Sequence, residues 1–419
     1  MTKNIAIIGV LFFVFGFVTW VNAILIPYFK IACELNNFQS YLVAFAFYIS
    51  YLLVSLPAAW LLRKIGFKKG MMWGFWIMSL GAFTFVVAAM YRAYPGFLSG
   101  LFAIGAGLAV LQTAANPYIT VLGPAERAAQ RISIMGVCNK TAGILAPLLF
   151  AAVILQPNDN ALFKSLPSMD EATRTAALDA LIRRVIGPYA VVGIILFGLG
   201  CLVRYSSLPE IETESAVTGK TSLFQFPHLI LGALAIFLHV GTQVLAIDTI
   251  IGYAGSMNIP LREAKVFPSY TLTATIAGYF AGIVCIPRYI SQARAFLCCT
   301  ILGIGLSLLV VLTKGRVVFF GHTADLSIWF LVLLGLANSL IWAGIWPLAL
   351  DNLGRFTKAG ASLLVMGLCG NAILPLVYGW LADRNGLQQA YWILLPCYCY
   401  LFFYAGYGHK IRNWAIIKQ

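Results

Sequence analysis

Two primary amides, Gln112 and Asn116, sit four residues apart inside an apolar run from about Phe97 to Leu122. At that spacing both project from one face of a helix. In hydrocarbon each amide costs free energy unless it meets a partner or lines a wet cavity. Pro117 follows at once and removes a backbone donor beside them. Such an insert is expected where something polar is bound or passed.

Other polar residues inside apolar stretches are few, and the ionisable ones are functional candidates by default. Lys140 lies about eight residues into its stretch, roughly 12 Å along a helix axis, and directly follows Asn139. It either snorkels or pairs structurally, or it serves substrate binding or coupling. Asp248 lies late in another stretch, as an outer-mouth charge or a coupling group. His239 and Gln243 precede it, one helical turn apart. His239 reads first as a packed residue and second as a coupling candidate. The neutral set is Asn22, Gln112, Asn116, Asn139, Asn338 and Asn371, with Trp342 and Trp346 away from the interfacial belt where tryptophan is expected. Amides offer donors and acceptors, and indoles offer flat apolar faces with one N–H. That lining suits a neutral polyhydroxylated ligand, a sugar, better than a carboxylate, a phosphate or a large apolar drug. The plainer role for any one amide is an interhelical hydrogen bond, worth about 0.6 kcal/mol.

The elements that must hold these residues are membrane helices. The chain has 419 residues, 61% apolar and only 10% charged, which excludes an ordinary soluble domain. Apolar stretches long enough to cross a bilayer recur at about 5–29, 40–62, 71–91, 97–122, 132–155, 186–205, 227–252, 267–287, 295–313, 326–350, 361–382 and 388–408. The first runs well past signal-peptide length without a small-residue cleavage site, so it is expected to be a retained helix. The net charge of +14 does not imply nucleic acid. With the N-terminus inside, most basic residues fall in inner loops, including Arg63, Lys64, Lys68 and Lys69. Four of the outer ones, Lys164, Arg174, Arg183 and Arg184, fall in the long 156–185 loop. That bias predicts both termini in the cytoplasm. Nine cysteines and four histidines show no disulfide or metal spacing.

The two halves of the chain resemble each other. Gly-Leu-Ala at 107 recurs at 335, Met135-Gly136-Val137-Cys138 answers Met366-Gly367-Leu368-Cys369, and Pro117 answers Pro347. A repeat of half the chain predicts an all-α membrane protein of twelve transmembrane helices in two pseudo-symmetric six-helix bundles, 1–205 and 227–419, joined by a cytoplasmic linker at 206–226. The pattern points to a rocker-type secondary transporter. No Walker motif is present, so ATP is not expected to drive it. Clustered nucleophile, His and acid residues are also missing, so an enzyme is not expected.

Several strings carry a family resemblance: Asn22 followed by Ile24-Leu25-Ile26-Pro27, Asn37-Phe38-Gln39 with Ala46-Phe47-Tyr48, and Gln112-Thr113-Ala114-Ala115-Asn116-Pro117-Tyr118 through Val121-Leu122-Gly123-Pro124. On these the chain resembles the fucose–galactose–glucose symporter family of the major facilitator superfamily, most of all its bacterial glucose/galactose branch. The resemblance implies the major facilitator fold and import of a monosaccharide by alternating access across a bacterial inner membrane. The expected partners are that sugar and the lipid bilayer, with a monomer as the working form. No cofactor is implied beyond a transported Na+ or H+.

Two departures concern the coupling ion. Family members commonly carry an Asp directly after the first-span Asn, where this chain has Ala23, and the fucose branch carries a Glu where this chain has Gln112. Three schemes stay open: sodium bound by amide, hydroxyl and backbone oxygens with Asp248; protons on Asp248 or His239; or an uncoupled facilitator with Lys140 in a former cation site. A membrane sugar sensor without transport is the alternative from another class.

Overall fold

The computed structural model describes residues 2–121, 128–206, 223–285, 289–353 and 356–414. These form two compact units, Met1–Thr213 with Pro260–Ser269, and Glu214–Ile259 with Tyr270–Gln419. Ten of the described stretches are long and apolar enough to cross a membrane.

In the first unit the helices are α1 (Thr2–Trp20), α2 (Asn22–Ala32), α3 (Asn37–Ile65), α4 (Phe67–Met90), α5 (Tyr94–Val121), α6 (Ala128–Ile154), α7 (Asp159–Ser165), α8 (Glu171–Arg183) and α9 (Ile186–Tyr205). Each long helix satisfies its own backbone, which is what a lipid environment demands. Helix α3 starts at a capping box: the Gln39 amide N–H donates to the Asn36 side chain at 2.7 Å, and the Asn36 N–H donates to the Gln39 side chain at 3.1 Å. Helix α1 packs on α6, α3 on α5, and α4 on both α5 and α9. The α4–α5 approach needs glycine. A Cβ on Gly81 would fall 2.6 Å from the Gly100 carbonyl oxygen, and one on Gly100 would fall 2.8 Å from that of Gly81. Deeper in the core the rings of Phe85 and Tyr189 stack at 3.8 Å, with Phe29, Phe97 and Phe150 around them.

The 156–185 segment, read as a loop in the sequence, folds into α7 and α8. It is tied down at both ends. Arg184 pairs with the buried Asp159 at 2.7 Å, and the Tyr28 hydroxyl on α2 donates to the Leu181 carbonyl oxygen at 2.6 Å. Asp170 caps α8 by accepting from the Thr173 N–H at 3.1 Å.

The remaining helices are α10 (Pro227–Asp248), α11 (Ile250–Ser256), α12 (Leu261–Ala264), α13 (Phe267–Cys285), α14 (Gln292–Leu312), α15 (Leu326–Asn338), α16 (Ile341–Leu350), α17 (Thr357–Met366), α18 (Gly370–Asn385) and α19 (Leu394–Gly406). Of these, α12 and the start of α13 belong to the first unit. In the second unit α10 packs on α16, α18 and α19, and α14 packs on α15 and α19. A departure from an all-α chain is a hairpin of β1 (Arg316–Phe319) and β2 (His322–Asp325), antiparallel, with Arg316 opposite Asp325 and Phe319 opposite His322. Its two-residue turn, Phe320-Gly321, has positive φ at both positions (49° and 79°), the pattern of a primed hairpin turn.

The repeated segments differ locally. In the first half α5 runs through Pro117 to Val121 without a break. In the second half the helix stops at Asn338, turns at Ser339 and Leu340, and restarts as α16. Most of the 206–226 linker, and the basic residues Arg127, Lys220, Arg288 and Arg355, lie outside the described residues.

Candidate substrate and coupling sites

In the first unit the sequence-derived residues fall into two groups. Gln112 on α5 is half-buried, and its side-chain N–H donates to the Tyr51 hydroxyl of α3 at 3.0 Å. Its carbonyl oxygen has no hydrogen-bond partner among the described residues. The Asn116 side chain lies outside the described residues, although its backbone continues α5. The second group gathers where α1, α2 and α6 meet. The Lys140 ammonium lies over the Trp20 ring, 4.5 Å from its centroid. The neighbouring Asn139 donates to the Phe12 carbonyl oxygen at 3.4 Å. Helix α1 has Gly16 there, since a Cβ would overlap the Asn139 carbonyl group. Asn22 opens α2 fully buried, and among the described residues neither its amide nitrogen nor its oxygen has a partner. The Trp20 indole N–H also has none. Among the described residues no hydrogen bond joins the Gln112 group to the Lys140 group.

Buried polar atoms without partners are uncommon and each calls for an explanation. Here a carboxamide and an indole N–H stand two residues apart on the same chain turn, beside a lone ammonium. The arrangement can donate to and accept from a neutral polar guest, and it carries no negative charge of its own.

In the second unit Asn338, at the end of α15, is the best-held of the amides. Its carbonyl oxygen accepts from the Tyr398 hydroxyl at 3.0 Å and from the Thr242 hydroxyl at 3.3 Å, joining α15 to α19 and α10. Its amide nitrogen is buried without a partner. Trp342 and Trp346 on α16 lie with ring centroids 5.5 Å apart, and the His239 ring is 6.5 Å from Trp342. The Trp346 N–H and the Asn371 carbonyl oxygen are again buried without partners. Gln243, one turn beyond His239, is half-buried and makes no hydrogen bond among the described residues. Asp248, the last residue of α10, is 1% exposed, and neither carboxylate oxygen has a partner among the described residues.

Outside the membrane stretches, Asp325 is the polar anchor of the hairpin. It accepts from the Ser327 hydroxyl at 2.7 Å, the Ser327 N–H at 3.0 Å and the Gly315 N–H at 3.1 Å. Partial burial pushes its pKa up, but these hydrogen bonds and the charge of Lys314 outweigh that and hold it below the usual carboxylate range. Among the described residues no three His, Cys, Asp or Glu side chains come together as a metal site.

Four residues that touch the candidates were not singled out from sequence: Trp20, Tyr51, Thr242 and Tyr398. Trp20 could have been found by the criterion that selected Trp342 and Trp346. The other three are common residues in apolar helices, and only their contacts mark them.

The family profile of the Major Facilitator Superfamily matches residues 8–366. A glucose/galactose transporter of Brucella abortus is 33% identical over 406 residues, covering 96% of this chain and 92% of that protein. An L-fucose-proton symporter of Escherichia coli is 29% identical over 412 residues, covering 96% and 92%. The crystal structure of a Major Facilitator Superfamily transporter, FucP, in the outward conformation superposes with a TM-score of 0.71 at 27% identity, covering 97% of this chain and 98% of that one. The chain is a multi-pass membrane transporter that belongs to the Major Facilitator Superfamily, close to its fucose/glucose–galactose symporter branch.

Proposed function

We propose that the chain imports a hexose of the glucose/galactose kind by alternating access, as a symporter. The observation that carries this is a set of neutral side chains, Asn22 and Trp20 in the first unit and Asn338, Asn371 and Trp346 in the second, that hold buried polar atoms without partners among the described residues. A sugar hydroxyl both donates and accepts, so it can satisfy each of them. Rejection of an analogue lacking a hydroxyl follows, because the group left unpaired stays desolvated. The relatives named above, a glucose/galactose transporter and an L-fucose-proton symporter, support the same substrate class.

In this reading the sugar is held by Asn22, Gln112, Asn116, Asn139, Lys140, Gln243, Asn338, Trp342 and Trp346, and the coupling ion, H+ or Na+, draws on Lys140, Asp248 or His239. Twelve helices work as two six-helix bundles, 1–205 and 227–419, with 206–226 as a cytoplasmic linker. The protein acts as a monomer in a bacterial inner membrane with both termini in the cytoplasm.

A second reading, an uncoupled facilitator, draws on the neutral side chains of Ala23 and Gln112. Proteoliposome uptake of labelled hexoses separates the two. Accumulation above the equilibrium level under an imposed ion gradient is expected. Counterflow without accumulation would leave the facilitator, and no counterflow of any hexose would remove the sugar reading.

A further inference from the structure

Asp248 ends α10 at the break before Thr249, and both its oxygens are buried without a partner among the described residues. Its chain neighbours Leu245, Ala246, Ile247, Ile250 and Ile251 are all buried and apolar. No hydrogen bond or ion pair of the described residues reaches it. On the Gly408–Lys410 turn packed against α10, His409 bonds the Tyr404 carbonyl oxygen and Lys410 is exposed, and on α19 Cys397 is buried and Cys399 exposed. Tyr398 and Tyr404 of α19 donate to Asn338 and to the His228 carbonyl oxygen, and Tyr400 donates to the Leu231 carbonyl oxygen. Tyr378 of α18 donates to the Leu387 carbonyl oxygen, while Asp383 and Arg384 stand exposed at that helix's end. Helices α15 and α16 carry no ionisable side chain. His239 lies nine residues back along α10.

A carboxylate in such a place needs a proton or a cation as its partner. A hard metal cation gathers several oxygen ligands. The hydroxyl of the adjacent residue, Thr249, is bonded to the Leu245 carbonyl oxygen and to the Tyr391 hydroxyl, each at 2.6 Å. A proton needs only the carboxylate. Polar groups also run from Thr249 toward the hairpin. The Tyr391 ring packs 5.3 Å from that of Tyr253, whose hydroxyl meets the Ser327 hydroxyl at 2.6 Å, and Ser327 donates to Asp325 at the hairpin.

We propose that Asp248 is the carrier of the coupling proton. This rests on the sugar-symport reading above and names its ion and its site. In each cycle one Asp248 oxygen takes a proton from hydronium on the side where sugar enters, its O–H bond forming as the donor's breaks, and on the other side gives that proton to water, its O–H bond breaking as a hydronium O–H forms. The acid stands in the second unit, whereas the places at which the family resemblance expects acids hold Ala23 and Gln112. Lys140 is set apart from this role because its ammonium is already covered by Trp20.

The test uses the full chain in proteoliposomes, with three readouts: hexose accumulation under a pH gradient, sugar-induced alkalinisation of the medium, and hexose counterflow. For Asp248→Asn, accumulation and alkalinisation are expected to fall at least tenfold, counterflow no more than severalfold, and Asp248→Glu to restore accumulation in part. In parallel, the unaltered protein is treated with dicyclohexylcarbodiimide, which forms a stable N-acylurea on protonated carboxyls in apolar surroundings. Mass spectrometry is expected to find the adduct on Asp248, forming more slowly as pH rises. Wild-type accumulation and proton movement in folded Asp248→Asn overturn the proposal, as does an equal loss of counterflow and accumulation. Should that variant fail to fold, absence of the adduct at every pH overturns it. Lack of hexose counterflow in the unaltered protein would instead sink the sugar reading, and the carbodiimide result would still report on the proton site.

Discussion

Lys140 on α6 places its ammonium 4.5 Å from the centroid of the Trp20 ring at the end of α1. No carboxylate pairs with it among the described residues. An ammonium over an indole gains about 0.5–2 kcal/mol, more as water is excluded. That contact ties the two helices whose backbones already meet at Gly16 and Asn139. The indole N–H remains free for a guest while the ring face serves the cation.

A double-mutant cycle on this pair is expected to return a coupling of about 1 kcal/mol. The variants are Trp20→Leu, Lys140→Met and the two combined, read by thermal unfolding of the purified protein in detergent. Lys140→Met alone should also cut hexose turnover about tenfold, because it removes an intramembrane ammonium that the sugar-binding reading uses. Strict additivity in the unfolding data would mean that the cation and the ring do not interact.

Gln112 gives a second prediction. It donates to Tyr51 and keeps its carbonyl oxygen free. Gln112→Ala removes a donor and an acceptor, and a lost hydrogen bond of this kind costs about 1 kcal/mol, so hexose affinity should fall five- to tenfold. Tyr51→Phe leaves the Gln112 amide in place and should cost less, about two- to threefold. The half-saturation concentration in counterflow measures both. Unchanged affinity in Gln112→Ala would remove this residue from the site.

The apolar stretches were legible because a run of about 20 apolar residues in lipid can only close its backbone hydrogen bonds as a helix. The amides and Lys140 were legible by type, since polar groups are costly there. Their partners were not. Tyr51 lies 61 residues from Gln112 in the chain, and nothing in one sequence marks that pairing. Helices α7 and α8 were hidden by their polarity. Their order comes from Arg184–Asp159, from Arg92–Asp179 at 3.2 Å and from the Tyr28 hydroxyl, all contacts with distant residues. The hairpin was hidden because four-residue strands are too short to show a period, and its turn uses Phe320, an unusual residue at positive φ.

Asn338 should behave differently from Gln112. Its carbonyl oxygen accepts from Tyr398, so removal strands that buried hydroxyl, while Thr242 keeps its shorter bond to the His239 carbonyl oxygen at 2.8 Å. A stranded buried group costs about 1–3 kcal/mol. Asn338→Ala is therefore expected to lower stability by about 1–3 kcal/mol as well as weakening hexose binding. Gln243→Ala, where no hydrogen bond is lost, should alter affinity with little change in unfolding temperature. A stability loss in Gln243→Ala as large as that in Asn338→Ala would overturn this division.

Asp325 allows a prediction about pH. Its carboxylate is held by the Ser327 hydroxyl, the Ser327 N–H and the Gly315 N–H, and its pKa in the folded chain lies below the ordinary value. The unfolded chain therefore binds a proton more readily than the folded one, and the ionised group favours folding. This contribution is complete above the unfolded value of about 3.9 and is lost as pH falls through the folded value. Between pH 5 and pH 3 the amides of Gly315 and Ser327 should lose protection from hydrogen exchange, after correction for the intrinsic rate. In Asp325→Asn the same amides should be less protected at pH 5 and should show no such further loss. Asp325 also caps α15, and a cap of this kind is worth about 1 kcal/mol. The first turn of α15 should then fray together with the hairpin, while amides near Asn338 at the far end of the helix stay protected. Equal loss at both ends of α15 would show that acid acts on the whole helix and not through this one carboxylate.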